Sequence, residues 1–347
     1  MTNKRVLITG GGGFLGHSLM NYLRDKAARV TILDKLRMSK DDLGEEIEFI
    51  QADVRDYKLL CKATEGAQIV IHACSCQSFY NPKELYAVNV QGTSNILKAS
   101  EANRVERFIY ISAAAVYGIP HKVPIAEDYP LAGFGPLAES KIAAEKLCQD
   151  SRDKGDMLVT VFRPRPFTGT GRLGVFGILF DWIKEGKNIP LIGDGKNRCQ
   201  LLDIIDTLEA IRLAMILSGD KVNDVFNLGA EEFGSIEQDL VRLFDFAGTG
   251  SKIMHLPEKP TKFILKILEK SKICPLYSGV YDIINLELSL SIEKAKNILG
   301  WLPKVSNAHS LINGYVWYLA NCNNIKQGIS NRNFLKEGIL RLAKKVF

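Results

Sequence analysis

The chain has 347 residues, of which 46% are hydrophobic and 24% are charged, and its formal net charge at pH 7 is +6. This composition is typical of a globular protein with a sizeable core and excludes the disordered and fibrous classes. The positive charge is not gathered into a stripe with interleaved aromatic residues, so we expect no nucleic-acid partner. No leader or membrane-spanning stretch is evident, which favours a cytoplasmic protein. The seven cysteines lack metal-type spacing, and we expect no metal site.

The first predicted elements are a strand at residues 5–8 and a helix at residues 14–23, with the stretch TGGGGFLG at residues 9–16 joining them. Glycines let the backbone turn tightly and approach a pyrophosphate, whose charge is stabilised by the amides and the dipole of the helix that follows. The turn therefore predicts a dinucleotide-binding site. Its predicted contacts are Gly10, Gly13, Phe14, Leu15 and Gly16.

A second apolar run, at residues 28–33, ends in Asp34. A carboxylate at this position accepts both hydroxyls of an adenosine ribose and repels a 2′-phosphate. We therefore predict NAD as the cofactor, rather than NADP.

After Asp34, short apolar runs alternate with helical stretches, as in a parallel sheet covered by helices on both faces. The carboxyl ends of parallel strands line the ligand crevice, so residues there should face the cofactor or the substrate. Such residues are Asp53, Val54, Ala73, Cys74 and Ser112. Asn89, in a helix predicted over residues 82–102, either bonds to a neighbouring strand or is solvated.

These patterns predict an α/β fold, a Rossmann-type doubly wound parallel sheet with a smaller C-terminal α/β substrate lobe. Residues 1–170 are predicted to form the NAD-binding domain, and strands near residues 200–204 and 224–228 are expected to join its sheet. Residues 171–330 are predicted to be mostly the substrate lobe.

The last segment, residues 331–347, carries five basic residues and one acidic residue. Leu335, Ile339, Leu342 and Val346 have helical spacing, which predicts an amphipathic tail with a basic face. Such a tail contacts a membrane surface or a partner, or it docks on its own domain or frays.

Further motifs point to one family. They are Asn89-Val90-x-Gly92-Thr93, Val116-Tyr117-Gly118, Ser140-Lys141-x-x-Ala144-Glu145, Arg163-Pro164 and Leu299-Gly300-Trp301. With them the chain resembles the extended short-chain dehydrogenase/reductases, the NAD-dependent epimerases and dehydratases that include nucleotide-sugar epimerases and 3β-hydroxysteroid dehydrogenase-like enzymes. The resemblance implies NAD at the carboxyl edge of the sheet, with Lys141 and Pro164 among its contacts. It also implies a small-molecule substrate held between lobes, and a homodimer.

Enzymes of this family use a Ser or Thr, a Tyr and a Lys, and the tyrosine exchanges a proton with the substrate. This chain resembles them in Lys141 but has Leu137 at the tyrosine position and Ala113 at the Ser/Thr position. The family mechanism therefore cannot run unchanged. The candidate substitutes are Lys141, Ser112, Tyr117 and Cys76, and His121 and Glu139 are weaker ones.

Arg172 and Arg198 are candidate substrate contacts, because arginine binds phosphate and carboxylate groups bidentately. Nucleotide-sugar enzymes commonly have an Arg-Asp pair where this chain has Cys199-Gln200. Two hypotheses stay open. The first is an enzyme with an atypical mechanism that acts on a hydroxyl or carbonyl of a nucleotide-sugar-like or hydroxysteroid- or lipid-like substrate. The second is a catalytically inactive NAD-binding sensor or scaffold.

Overall fold

The computed structural model describes residues 2–76, 81–270, 281, 285–325, 332 and 344. The chain divides into two compact units. Unit 1 comprises Met1–Arg165, Ile205–Leu228 and Leu290–Leu302. Unit 2 comprises Pro166–Ile204, Gly229–Ser289 and Pro303–Phe347.

The strands, in chain order, are β1 (Thr2–Thr9), β2 (Ala27–Asp34), β3 (Glu48–Gln51), β4 (Ile69–His72), β5 (Arg107–Ile111), β6 (Leu158–Pro164), β7 (Phe167–Thr168), β8 (Ile189–Ile192), β9 (Leu202–Asp203), β10 (Val225–Leu228) and β11 (Ile253–Leu256). The α-helices are α1 (Phe14–Leu23), α2 (Lys40–Leu43), α3 (Tyr57–Thr64), α4 (Pro82–Tyr86), α5 (Thr93–Ala102), α6 (Pro136–Lys154), α7 (Val175–Lys184), α8 (Ile204–Ile216), α9 (Gly219–Val222), α10 (Ile236–Ala247), α11 (Glu258–Lys270) and α12 (Asn307–Asn321). A π-helical turn, Ala87–Gly92, joins α4 to α5, and another covers Ala295–Leu299. Short 3₁₀ turns cover Ala114–Tyr117 and Cys322–Asn324.

Unit 1 contains a seven-stranded sheet in the order β10-β6-β5-β4-β1-β2-β3, and every neighbouring pair is parallel. All four residues of β4 are buried, as expected for a central strand of a parallel sheet that is covered on both faces. Helices pack around this sheet, with α1 against β1 and β2 and α6 against β6. The predicted Rossmann-type α/β fold is therefore confirmed.

The prediction for the strand near residues 200–204 is wrong. This segment forms β9, which pairs with β7 in a separate two-stranded ribbon. The edge position beside β6 belongs to β10, which pairs with it from Val225 to Leu228. A strand of two residues carries too little pattern to indicate its partner. The division into units also differs from the predicted boundary, since unit 1 ends its first segment at Arg165 and includes two later segments.

Unit 2 has its own apolar core, in which α7, α10 and α12 pack together. Phe180 of α7 lies 5.9 Å from the ring of Tyr315 and 6.0 Å from that of Tyr318. Strands β8 and β11 form a parallel pair in this unit. Helix α10 begins with a capping box, in which Ser235 and Gln238 exchange hydrogen bonds.

Of the predicted tail at residues 331–347, only Arg332 and Lys344 belong to the described residues, so the predicted helix lies outside them. The Lys344 ammonium is buried and donates to the carboxylates of Asp181 on α7 and of Glu185, which directly follows that helix. Among the residues that the structure describes, no helix is both long enough and apolar enough to cross a membrane.

Candidate active site

The glycine turn between β1 and α1 lies at the carboxyl edge of the sheet. Gly10 has a φ of +75°, and a Cβ there would lie 2.7 Å from the backbone of Cys74. A Cβ on Gly16 would lie 2.2 Å from the carbonyl oxygen of Gly10. Both positions therefore require glycine. The first N–H groups of α1 have no acceptor within the helix, so this turn suits the pyrophosphate of a dinucleotide.

Asp34, at the end of β2, is held beside this turn. Its Oδ2 accepts a hydrogen bond from the backbone N–H of Gly12 at 2.9 Å, and its Oδ1 accepts one from Leu36 at 2.9 Å. These bonds fix the carboxylate while leaving acceptor capacity on both oxygens. The arrangement fits the predicted contact with the hydroxyls of an adenosine ribose.

Asp53, after β3, is paired with an arginine that the sequence analysis did not identify. Arg55 donates from Nε to Oδ1 at 2.9 Å and from Nη2 to Oδ2 at 2.6 Å. The hydrogen bonds from Arg55 hold the pKa of Asp53 below its usual value, against the effect of burial. The neighbouring Val54 is buried. Ala73, after β4, is half-buried, and its N–H donates to Thr9 in β1.

Asn89 lies in the π-helical turn and is buried. Its Oδ1 accepts from the backbone N–H of Cys76 at 2.8 Å, and its Nδ2 donates to Oγ of Ser140 at 3.0 Å. The side chain therefore ties the loop after β4 to α6, and it positions the residues around the site. Cys76 is itself buried, and burial raises the pKa of its thiol, which disfavours the reactive thiolate.

His72, at the end of β4, is a buried residue that the sequence analysis did not single out as functional. Its Nδ1 lies 2.6 Å from the Thr9 hydroxyl, and its Nε2 lies 3.0 Å from the Thr93 hydroxyl. Because the Thr93 hydroxyl donates to the Asn89 carbonyl at 2.6 Å, it accepts from His72, which assigns the proton to Nε2. Burial, reinforced by the charge of Lys141, lowers the pKa of His72 to about 3. The ring is therefore neutral and has a structural role.

Lys141 is only 5% exposed. Its Nζ donates to the carbonyl oxygen of Ile111 at 2.8 Å and lies 5.0 Å from the ring centroid of Tyr110. Burial lowers the pKa of Lys141 to about 8. Leu137, one turn earlier on α6, is half-buried and packs against the apolar core of unit 1. Ala113 is half-buried at the end of β5. Pro164, which ends β6, is buried.

Ser112 and Tyr117 belong to one buried polar network. The Ser112 hydroxyl donates to the carboxylate of Glu145, which pairs with Arg163 at 2.7 Å. Arg163 donates from Nη1 to the Tyr117 hydroxyl at 2.8 Å, and that hydroxyl donates to Oδ1 of Asn227 at 2.8 Å.

This network corrects the expectation that Ser112 or Tyr117 replaces the missing acid or base. Tyr117 is completely buried, and burial raises its pKa to about 12. The hydroxyl protons of both residues are engaged by acceptors within the protein. We therefore interpret both as structural residues of unit 1. The weaker candidates are at the surface, where Glu139 accepts from the Tyr86 hydroxyl at 3.1 Å and His121 is exposed.

The two candidate substrate arginines lie in unit 2. Arg198 is exposed, donates from Nη2 to the carbonyl of Phe233 at 3.1 Å, and lies 4.5 Å from the ring centroid of Phe233. Arg172 is half-buried in the turn after β7, where its N–H donates to Gly169 at 3.1 Å. Gln200 is buried and donates to the carbonyl of Ala230 at 2.8 Å. Across the described ranges, no group of three or more His, Cys, Asp and Glu side chains has the arrangement of a metal site.

The fold and the glycine turn together define a dinucleotide-binding α/β protein. Comparison with known proteins identifies its family. The model of the NAD dependent epimerase/dehydratase family matches residues 6–229. The chain is 30% identical over 335 residues to the uncharacterized protein y4nG of Sinorhizobium fredii, covering 95% of this chain and 82% of that protein. It is 26% identical over 332 residues to a UDP-glucose 4-epimerase of Halalkalibacterium halodurans, covering 88% and 93% of the two chains. The chain belongs to the NAD-dependent epimerase/dehydratase family.

Solved structures show the same fold. A UDP-glucose 4-epimerase of Thermotoga maritima, crystallised with UDP-glucose, superposes with a TM-score of 0.77 at 22% identity, covering 92% of this chain and 99% of that one. The enzyme WbmG of Bordetella bronchiseptica, crystallised with NAD, gives a TM-score of 0.73 at 24% identity, covering 91% and 94%. The predicted family and its NAD cofactor are thus confirmed, and the chain is an enzyme of this NAD-dependent class.

Proposed function

We propose that this protein modifies a nucleotide-linked sugar by oxidising one of its hydroxyl groups, and that the amine of Lys141 exchanges the proton. One observation carries the proposal. Lys141 of α6 is buried, its Nζ donates to Ile111 at the end of β5, its pKa is lowered to about 8, and it shares a helix face with Leu137, the position at which the family has its phenol. A group whose pKa lies near the working pH is suited to acid–base catalysis.

The substrate class rests on the relatives. They include proteins named UDP-glucose 4-epimerase and dTDP-glucose 4,6-dehydratase, which match 88% and 91% of this chain. Both names describe chemistry at a sugar linked to a nucleoside diphosphate. Arg172 and Arg198 are our candidate contacts for the diphosphate, because a guanidinium binds phosphate oxygens bidentately. The predicted hydroxysteroid-like substrate has no counterpart among these relatives.

In this proposal the cofactor is held by the glycine turn and by the ends of β2, β3 and β4. When bound, its nicotinamide accepts and returns the hydride. The turn residues Gly10, Gly13, Phe14, Leu15 and Gly16 would surround the pyrophosphate, and Asp34 would accept hydrogen bonds from the ribose hydroxyls. Asp53, Val54, Ala73 and Pro164 would line the rest of the cofactor site, and Asn89 would act through its hydrogen bonds to Cys76 and Ser140.

The proton step uses the neutral form of Lys141. Its lone pair accepts the proton of the sugar hydroxyl. The hydrogen on the carbon that bears this hydroxyl leaves as hydride, with its electron pair, so that the alcohol becomes a carbonyl. The resulting ammonium returns the proton when the carbonyl is reduced. With a pKa of about 8, roughly a tenth of the lysine is neutral at pH 7. Turnover should therefore rise with pH through this value.

Lys141→Arg tests the proposal, because arginine keeps the positive charge but does not release its proton near neutral pH. We expect NAD affinity to change by no more than about threefold, while turnover of UDP-glucose or dTDP-glucose falls by about a hundredfold or more. Lys146→Arg, at an exposed position on the same helix, is the matched control. Full turnover in Lys141→Arg would contradict the role of the amine. A wild-type protein that binds NAD but turns over no nucleotide sugar would favour the alternative, a non-catalytic NAD-binding sensor.

A further inference from the structure

Helix α11 of unit 2 presents an apolar stripe to solvent. Phe263, Ile264 and Ile267 are 67%, 55% and 53% exposed. Pro260, one turn earlier, is also exposed. At 100° per residue these four positions lie on one face of the helix. Large apolar side chains gathered in this way mark a surface that binds a partner.

The opposite face of α11 already has its partners within unit 2. Leu265 is buried and packs with Ile192 and Tyr281. The Tyr281 hydroxyl donates to Glu269, and Lys262 donates to Asn285 at 2.6 Å. The helix is thus anchored by one face, and the exposed stripe is a second apolar face of the same helix.

Two exposed lysines, Lys259 and Lys266, border the stripe. They are seven residues apart, so they lie on the same side of the helix axis, about 90° from the centre of the stripe. An apolar face with Phe and Ile and a row of lysines along one edge is the pattern of a helix that lies in the plane of a membrane interface. The apolar side chains enter the acyl boundary, and the ammonium groups meet anionic headgroups.

We propose that α11 docks the protein on an anionic lipid surface. The charges of Lys259 and Lys266 favour an anionic lipid surface over a second copy of the chain as the partner of the stripe. In an antiparallel two-fold pairing of α11 with itself, the two lysine rows would lie side by side, where like charges repel, and a parallel pairing would offer the lysines no countercharge. An anionic surface neutralises the same lysines. The contact is interfacial and requires no spanning helix.

Co-sedimentation of the full chain with vesicles tests the proposal. We expect binding to vesicles of equal parts phosphatidylcholine and phosphatidylglycerol, weak binding to phosphatidylcholine alone, and a decrease with added salt. The double variant Phe263→Ser, Ile267→Ser should lower the partition coefficient about tenfold or more, since two buried apolar side chains are removed. Lys259→Glu with Lys266→Glu should abolish the preference for anionic vesicles.

Phe246→Ser is the matched control, because Phe246 is a 53% exposed aromatic residue on α10 of the same unit. It should bind vesicles like the wild type, and circular dichroism should be unchanged in all three variants. Three results would overturn the proposal: no vesicle binding by the wild type, vesicle binding that neither double variant weakens, or an oligomer that the apolar variant dissociates in light scattering. The last result would assign the stripe to a second copy of the chain.

Discussion

The guanidinium of Arg163 lies 2.7 Å from the carboxylate of Glu145, and each side chain is only 6% exposed. This ion pair joins β6 to α6, the helix that carries Lys141. On one side Glu145 accepts from Ser112, and on the other Arg163 donates to Tyr117. Two hydroxyl groups near the cofactor edge are therefore used for structure, which leaves the Lys141 amine as our candidate for proton exchange.

Arg163→Met should destabilise the protein strongly. The substitution leaves the Glu145 carboxylate buried without its counter-ion, and breaking a buried pair in this way typically costs about 3–5 kcal/mol. Equilibrium unfolding in urea measures the change. Lys154→Met provides the control, since Lys154 pairs with Glu101 at 2.9 Å on the surface, where a pair contributes at most about 1 kcal/mol. A loss in Arg163→Met no larger than that of the control would show that the buried pair is not needed for stability.

Lys141→Met should make the protein more stable at neutral pH. In the folded state the pKa of Lys141 is about 8, below the value of 10.5 for an unperturbed lysine. Below pH 8 the folded protein therefore carries the full cost of burying the charge, and this cost disappears as pH rises from 8 towards 10.5. We expect the variant to gain about 2–3 kcal/mol at pH 7, less any loss of the bond to Ile111, and the difference should shrink by pH 10.

Paired urea titrations of wild type and variant at pH 7 and pH 10 measure this difference, since the other titrating groups are common to both proteins. Lys146→Met, at an exposed position on α6, should show no such pH-dependent difference. A contrary result would be that Lys141→Met loses more stability at pH 7 than Lys146→Met does. The folded protein would then stabilise the buried ammonium rather than be destabilised by it.

The features that can be predicted from the sequence are those that depend on the spacing of residues close together in the chain. The glycine turn, Asp34 and the parallel sheet depend on residue types within one strand–turn–helix unit, and hydrophobic period and turn chemistry indicate such units. The family has its tyrosine four residues before the lysine. Leu137 stands at that distance from Lys141, so the sequence alone shows that the phenol is absent. Each of these features concerns residues that are close in the chain.

The contacts that decide the roles of the candidate residues are not local. Tyr117 donates to Asn227, 110 residues away, and Asn89 donates to Ser140, 51 residues away. No pattern in the sequence indicates such partners, so the sequence alone makes Tyr117 a catalytic candidate, whereas the structure shows that this residue is buried. The sequence does not indicate the pairing of β9 with β7 either, because strands of two residues carry too little pattern to identify a partner.

Asp34→Asn should weaken the preference for NAD. The amide keeps the shape of the carboxylate but has one acceptor oxygen fewer and no charge, so one of the backbone N–H groups of Gly12 and Leu36 loses its acceptor. NAD affinity should fall about tenfold, because a bond to a charged acceptor is replaced. NADP affinity should fall less, since repulsion of its 2′-phosphate is removed. Fluorescence titration with both cofactors measures the ratio, and Asp42→Asn is a control at another carboxylate of unit 1. An unchanged ratio would mean that Asp34 does not contact the ribose.

Leu137→Tyr combined with Ala113→Ser should restore the proton-transfer groups of the family. Leu137 is half-buried one turn before Lys141, so a phenol there shares a helix face with the ammonium, and a nearby positive charge lowers the pKa of a phenol. We expect turnover of a nucleotide sugar to rise about tenfold or more, with activity extending to lower pH than in the wild type. The control is Leu137→Phe with Ala113→Ser, which adds the ring without the hydroxyl. Because the two double variants differ by one oxygen atom, an equal gain in both would assign the effect to packing, whereas a gain confined to the tyrosine variant would show that the rest of the site is intact.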